Sequence, residues 1–248
     1  MSSYNALAAS YDGLMVDGSY RKRVAWLEKL FKKSRIPVKT VLDLACGTGT
    51  VSCLLAEHGY DVIATDASEE MLTQAASKAA VLEENAPLFL LQSMPKLRLA
   101  EPVDAVISTM DSLNYLTREK DIRETFCRVY RWLKSGGQFI FDVNTAYKLR
   151  RMDRQMYMDE TEDSFCVWRT FFSEKTQCCT YQVDLFQLNE EGTWEREFEE
   201  HRERAWTEAQ LREFLTEAGF MDITVTGDLT MKAPRDDEDR VIFRAQKI

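Results

Sequence analysis

The stretch Val41-Leu42-Asp43-Leu44-Ala45-Cys46-Gly47-Thr48-Gly49 limits the possible folds more than any other part of this 248-residue chain. Its first half is apolar and the length of a buried strand, and its second half is a loop with two glycines. Val51, Leu54 and Leu55 then start a helix that Gly59 can end as a left-handed cap. Asp61 to Thr65 reads as a second buried strand, with Asp66 at its end. Strand, loop, helix and strand together make a right-handed crossover between parallel neighbours. In an open sheet of that kind ligands lie beyond the carboxyl ends of the strands, where the strand order reverses. The glycine loop lies there. Gly47 and Gly49 remove side chains so that a ligand can rest against the backbone.

The alternation of helix and strand continues on either side. Ser19 to Lys33 places Tyr20, Val24, Leu27 and Phe31 on one helical face with Arg and Lys on the other, and Pro37 blocks continuation. The short basic runs Arg21-Lys22-Arg23 and Arg150-Arg151 read as solvated faces. Ser68 is placed to cap a helix with Glu69 and Glu70 in its first turn. Leu88 to Leu91, Val103 to Ser108 and Gln138 to Val143 predict strands. Thr117 to Leu133 predicts a helix, closed by a turn at Lys134-Ser135-Gly136-Gly137.

From Phe165 to Trp206 the apolar period falls to two, with a turn at Asn189-Glu190-Glu191-Gly192, which indicates an antiparallel meander. Thr207 and Gln210 then form a capping box, Leu211, Phe214, Leu215 and Ala218 give an apolar face, and Gly219 stops the helix. Ile223 to Thr226 and Arg240 to Ala245 give final strands around a solvated acidic loop, Asp236-Asp237-Glu238-Asp239. The expected fold is α/β: a doubly wound, mostly parallel seven-stranded sheet with an inserted small antiparallel β-meander. Residues 1–149 and 206–248 make the core, and 150–205 the insertion.

Asp66 is placed to accept hydrogen bonds from both hydroxyls of a ribose, as an acidic residue does in dinucleotide folds. The competing ligand is a nicotinamide or flavin dinucleotide, whose fingerprint has a third glycine for close helix–strand packing. Ser52 stands in that place here. Asp43, upstream of the glycines, has no part in binding a pyrophosphate, but it can reach the ammonium of a methionine tail, directly or through a water. Two glycines alone would fit any tight turn. With Asp43 and Asp66, the unit reads as a site for S-adenosylmethionine.

At this point the sequence resembles the class I S-adenosylmethionine-dependent methyltransferases, and within them the small bacterial enzymes related to sugar N,N-dimethyltransferases and glycine N-methyltransferase. Four segments carry the resemblance: Tyr4-Asn5-Ala6-Leu7-Ala8-Ala9-Ser10-Tyr11-Asp12, the glycine loop, Asp111-Ser112-Leu113-Asn114-Tyr115, and the insertion after Phe141-Asp142-Val143-Asn144. It implies that Tyr11 touches the methionine portion, although Tyr11, like Tyr4, can equally staple the first helix to the core. It implies that Ala45, Cys46, Gly47, Gly49, Asp66 and Ala67 surround the cofactor. Residues at the end of the third strand bracket adenine in such relatives, often with an acidic residue. Here that stretch is Gln92-Ser93-Met94, with Ser93 where an Asp is common, so the backbone or Gln92 would serve instead. Met71 can pack on the adenine or simply be core. Thr109 to Tyr115 lines the transfer cleft in relatives, which makes Asp111 and Tyr115 candidates for the sulfonium or the acceptor; Asp111 can also be only a turn cap.

Methyl transfer from a sulfonium needs alignment and exclusion of water, and a base only when the nucleophile must first lose a proton. His201 is a candidate for that base. Strand alternation puts it with Glu203 on one face, and Arg202 with Arg204 on the other, so at most one pair points inward. The meander would cover the cleft and select the acceptor. Trp168, Phe172 and Trp194 could form a cation-binding wall, or only the core of a thin sheet. No metal is expected, since six cysteines form no Cys-x-x-Cys pair and there are two histidines. A net charge of −9 argues against a nucleic-acid footprint. No apolar run reaches membrane length, and the N-terminus lacks a secretory signal, which together with unpaired thiols points to a cytoplasmic protein, monomer or homodimer. The expected activity is methylation of a small-molecule acceptor at nitrogen or oxygen. A non-catalytic adenosylmethionine-binding regulator and an RNA or protein methyltransferase are the other readings.

Overall fold

The computed structural model describes residues 20–189 and 191–248. Two sheets organise them. The larger contains β1 (Thr40–Leu44), β2 (Asp61–Asp66), β3 (Leu88–Leu91), β4 (Val103–Ser108), β5 (Leu133–Asn144), β10 (Met221–Gly227) and β11 (Arg240–Gln246). Their order is β10-β11-β5-β4-β1-β2-β3, with β11 antiparallel to both neighbours and the rest parallel. The order reverses between β1 and β4, so the loop after β1 opens at the switch point. The smaller sheet is the meander β6 (Met156–Glu160), β7 (Ser164–Ser173), β8 (Cys178–Leu188) and β9 (Trp194–Arg204). The doubly wound sheet with an inserted meander is therefore the observed architecture.

Among the described residues six α-helices flank the sheets: α1 (Tyr20–Phe31), α2 (Thr50–Glu57), α3 (Glu69–Ala79), α4 (Glu119–Trp132), α5 (Ala146–Arg151) and α6 (Glu208–Ala218). The expected caps form. Ser68 accepts from the Met71 amide, Thr207 and Gln210 close a capping box, and Gly59 and Gly219 adopt φ +87° and +102°. The central strands β1 and β4 are buried on both faces, as strands covered on both sides by helices must be. One core, around Phe126, Phe139, Phe141 and Phe243, fills the α4–α6 side; a second, around Leu27, Val41, Leu55 and Ile107, fills the α1–α2 side.

Two expectations are corrected. Lys134 to Gly137 is not a turn but the first part of β5. Gly136 N donates to Lys247 O at 2.7 Å and Lys247 N to Gly137 O at 3.0 Å, so the neighbouring chain recruits the segment into the ladder across a register shift. A Cβ on Gly137 would lie 2.6 Å from the Asp104 carbonyl, so this glycine serves close strand packing. Arg23 is not on a solvated face. It is buried in α1 and ion-paired with Asp142 on β5 at 3.1 Å and with Asp228 at 3.3 Å. Two elements have no counterpart in the sequence reading, the helix α5 and the edge strand β6, whose five residues are all exposed and so carry no alternating pattern.

Candidate functional site

A cavity of about 820 Å³ opens at the carboxyl ends of β1, β2 and β4 and runs under the meander. Its first end is the glycine loop. Ala45 and Gly47 turn the chain with φ +63° and +56°, and Gly47 faces the cavity with nothing within 4 Å of where a Cβ would stand. Gly49 has a different task. It does not line the cavity, and a Cβ there would lie 2.8 Å from Ala75 Cβ and 3.2 Å from the Phe89 ring. Gly49 thus lets α2 start tight against α3 and β3, the packing role that a third glycine has in dinucleotide folds.

Asp66 is held by the loop it faces. Its Oδ2 accepts from Gly47 N and its Oδ1 from Ser68 N, each at 2.9 Å. A carboxylate offers about four lone-pair sites, so with the Ala67 N–H also directed at it at least one stays open for a ribose hydroxyl. Burial raises the Asp66 carboxyl, and backbone N–H groups of Ser68, Gly47 and Ala67 counter it. Asp43 stands behind the loop and does not line the cavity. Ser52, found where a third glycine was sought, donates to Asp43 Oδ2 at 2.6 Å. Among the described residues the buried Asp43 Oδ1 has no partner. Burial lifts this carboxyl to about 7, against the Ser52 hydrogen bond and helped by the charge of Asp66. Burial, Asp43 and Asp66 also push the Cys46 thiol up, so it stays neutral.

Ala67, Met71, Gln92, Ser93 and Met94 continue the same wall. Met71 is buried and also reaches the cavity, so its core and lining roles coincide. The Gln92 amide is committed: Nε2 donates to Arg98 O at 3.0 Å and Oε1 accepts from Arg98 N at 2.8 Å. Ser93 is the lining residue with a free hydroxyl to offer an adenine. Tyr11, the expected contact to the methionine portion, lies outside the described residues, as does Tyr4.

At the other end Thr109, Met110, Asp111, Ser112 and Tyr115 line the cavity, whereas Leu113 and Asn114 are buried away from it. Met110 and Asp111 both hold φ near +55°, an unfavourable pair for residues with side chains. Asp142, which the sequence reading left without a role, imposes it. Met110 N donates to Asp142 Oδ2 at 3.0 Å and Asp111 N to Oδ1 at 2.7 Å. Arg240 from β11 then bridges the Asp142 and Asp111 carboxylates. Burial alone would raise Asp142, but the guanidinium charges of Arg240 and Arg23 and the Asp111 N–H outweigh it and hold the carboxyl low. Asp111 is therefore an ion-paired cavity residue, not a side-chain cap.

The meander supplies Tyr157, Asp159, Trp168, Thr170, Tyr181 and Glu203 to this end. His201 and Glu203 are the inward pair on β9, but only Glu203 reaches the cavity. His201 is buried behind it, its Nε2 3.1 Å from Glu199 Oε2 and its ring 6.5 Å edge-on from Tyr115. Alternation along β9 was the signal for Glu203; the histidine drew attention away from it. Trp168 lines the cavity, Phe172 packs in the meander under the Arg150 guanidinium, and Trp194 is 51% exposed, so the three do not form one wall. Asn114 ties meander to core, donating to Asn144 O at 3.0 Å and Arg204 O at 2.9 Å, with Asn144 N donating back to its Oδ1. Among the described residues no group of His, Cys, Asp and Glu could hold a metal, and no helix is long and apolar enough to cross a membrane.

Known proteins share this arrangement. A family model described as "Methyltransferase domain" matches residues 41–137. The chain is 36% identical to "Putative methyltransferase YqeM" of Bacillus subtilis (strain 168), over 98% of this chain and 97% of that one. It is 28% identical to the glycine/sarcosine N-methyltransferase of Aphanothece halophytica, covering 84% of this chain and 76% of the relative. The crystal structure of an S-adenosylmethionine-dependent methyltransferase from Clostridium acetobutylicum ATCC 824 superposes with a TM-score of 0.86 at 26% identity, covering 98% of each chain. With the open glycine cradle at Gly47, the cavity-lining Asp66 carboxylate and the buried Asp43 oxygen compatible with the cofactor, the chain belongs to the class I S-adenosylmethionine-dependent methyltransferases.

Proposed function

We propose that this protein methylates a small-molecule amine, with the glycine-loop end of the cavity holding S-adenosylmethionine and the meander covering the acceptor. The observation that carries the proposal is the continuity of the cavity, from Gly47 and Asp66 at one end to Tyr181 and Glu203 at the other. When bound, the cofactor supplies a methyl group on a sulfonium sulfur, so an acceptor lone pair can displace a neutral thioether. The chain's residues do the rest. Asp66 would accept from the ribose hydroxyls, Ser93 would bond the adenine, and Asp43 would face the methionine ammonium directly or through a water. Asp111 and Tyr115, at the acceptor end, would orient the reacting groups. Trp168, Thr170 and Tyr181 from the meander would exclude water.

Nitrogen is favoured over oxygen by the N-methyltransferase activity named for the Aphanothece relative and by the surroundings of the acceptor end. Asp159 and Glu203 offer carboxyl groups and Trp168 an aromatic face, a lining that can receive an amine. The net charge of −9 also disfavours a nucleic-acid substrate. Titration calorimetry with adenosylmethionine and adenosylhomocysteine, followed by a methyl-release assay on matched amine and hydroxyl acceptors, tests the proposal. Binding with turnover only on amines is the expected result. Binding without turnover on any acceptor would favour a regulatory protein, and turnover on hydroxyls alone would overturn the nitrogen assignment.

A further inference from the structure

The inference that follows rests on the amine reading and concerns the proton that such an acceptor must lose. An aliphatic amine is an ammonium at neutral pH, with no lone pair to attack and a charge that repels a sulfonium. Water is the usual sink for the proton, but a closed cavity excludes it. A group at the acceptor end must receive it instead.

Glu203 has the position for this. It is 3% exposed, yet it lines the cavity. Its Oε2 accepts from Asn144 Nδ2 at 2.7 Å, and the Tyr181 hydroxyl lies beside its carboxylate. Lys148 Nζ donates to Asn144 Oδ1 at 2.9 Å, which fixes the amide with its nitrogen toward Glu203. The groups facing Glu203 are Lys148 from α5, Asp111 from the loop after β4, Tyr181 and Cys179 from β8, and His201 two residues away on its own strand. His201 is outside the cavity, and Asp111 is already paired with Arg240. Asp159 sits on the exposed edge strand β6, open to solvent. That leaves Glu203 as the buried acid group at this end.

We infer that Glu203 is the proton acceptor for the incoming amine. Seating the amine releases the carboxyl's own proton to solvent; the ammonium N–H bond then breaks with its electron pair left on nitrogen, and an O–H bond re-forms on the carboxylate, which is back in its protonated resting state when product leaves. Burial and the charge of Asp111 raise the Glu203 carboxyl to about 8, against Asn144, Lys148 and Tyr181. An ordinary glutamate would be too weak a base at neutral pH, so the shift suits the task. It also has a binding signature. At pH 7 the free site holds a proton and the free amine holds its own, and seating the amine beside the carboxyl retains one fewer between them.

The test uses the full chain saturated with adenosylhomocysteine, titrated at pH 7 with glycine, sarcosine and a 3-amino-3-deoxyglucoside in two buffers of different ionisation enthalpy. Close to one proton should leave per amine bound to the wild type, and none with Glu203→Gln. Turnover of Glu203→Gln on the same amine should fall about 100-fold or more, with cofactor affinity unchanged and the rise of kcat/KM with pH flattened. Glu203→Asp, which keeps a carboxylate, should recover part of the rate. Amine binding without proton release, failure of all three amines to bind, or a Glu203→Gln rate within threefold of wild type would each overturn the inference. Loss of adenosylhomocysteine binding by the wild type would instead strike the cofactor reading beneath it.

Discussion

The cofactor end of the cavity is assembled from one stretch, 45–71, extended by 92–94, whereas Asp111, Asn144, Lys148, Tyr181, Glu203 and Arg240 reach the acceptor end from separate elements. Gly47 and Asp66, which define the first end, are 19 residues apart and joined by one hydrogen bond to a backbone N–H. Asp142 and Arg240, which organise the second, are 98 residues apart and joined by charge. The first end is thus set by local chain geometry, and the second by tertiary packing and buried ion pairs. Damage to the first should appear mainly as lost affinity, and damage to the second as lost stability and lost turnover together.

The largest effect is expected from Asp142→Ala. It would strand Arg23 and Arg240 and release the left-handed Met110–Asp111 pair. Removing one partner of such a buried network costs roughly 3–5 kcal/mol, which at about 2–4 °C per kcal/mol lowers Tm by on the order of 10 °C. A loss below about 1 kcal/mol in urea unfolding would break the contrast.

Gly49→Ala comes next and tests whether the cofactor end also contains a packing element. With φ +72° and Ala75 at 2.8 Å, a cost of about 2–3 kcal/mol is expected. Gly47→Ala, where the space is open, should cost only about 1 kcal/mol from its φ of +56° and should weaken cofactor binding instead. Equal Tm values for the two variants would show that the glycines share one role.

The pH dependence sharpens the comparison further, because each end holds a carboxyl raised to near neutrality, Asp43 at about 7 and Glu203 at about 8. Between the ordinary carboxyl range and these values the folded chain binds more protons than the unfolded one, so stability falls as pH rises and the loss is complete above about 8. Asp142, held low, acts the other way: its contribution is present above the ordinary range and lost as acid reaches its depressed value. Melting scans from pH 5.5 to 8.5 should therefore show a decline in Tm that is shallower in Glu203→Gln by on the order of 5 °C. Parallel curves for variant and wild type would contradict a buried, proton-holding Glu203.

Asp66→Ala is expected to leave the fold intact and weaken adenosylmethionine binding more than tenfold, or more than about 1.4 kcal/mol. Unchanged affinity in calorimetry would remove the ribose assignment. The same difference in construction explains what could be read before the fold was known. The cofactor-end residues from Ala45 to Asp66 sit in a pattern with a short period: apolar strand, glycine loop, acidic strand end. Even so, Gly49 and Ser52 were legible only as types. That Gly49 packs against Ala75 and that Ser52 bonds Asp43 needed the helices in place.

At the acceptor end the sequence offered Asp111, Tyr115 and His201, and two of the three reach the cavity. Asp142 was invisible because a lone charge in the apolar run Gln138 to Val143 has no local partner; its cations come from Arg23 and Arg240, at opposite ends of the described chain. The seven-stranded sheet and the meander were legible from periodicity. β6 was not, because an edge strand exposed throughout has no face to mark. Arg23 was misread for a related reason: helical spacing shows which face a residue shares, not what lies opposite.

The 98-residue separation of Asp142 from Arg240 also bears on how the chain is made. Synthesis delivers the middle of the sheet first, and at ~5–20 residues per second the counter-charge from β11 follows only ~5–20 s later. During that interval the nascent β5 carries an acid whose strongest partner has not yet been translated, beside an open sheet edge where β11 will pair. The last strand thus closes the sheet and neutralises its interior in one event. Completion of the acceptor end is in this way coupled to the order of translation, while the cofactor end can take shape long before.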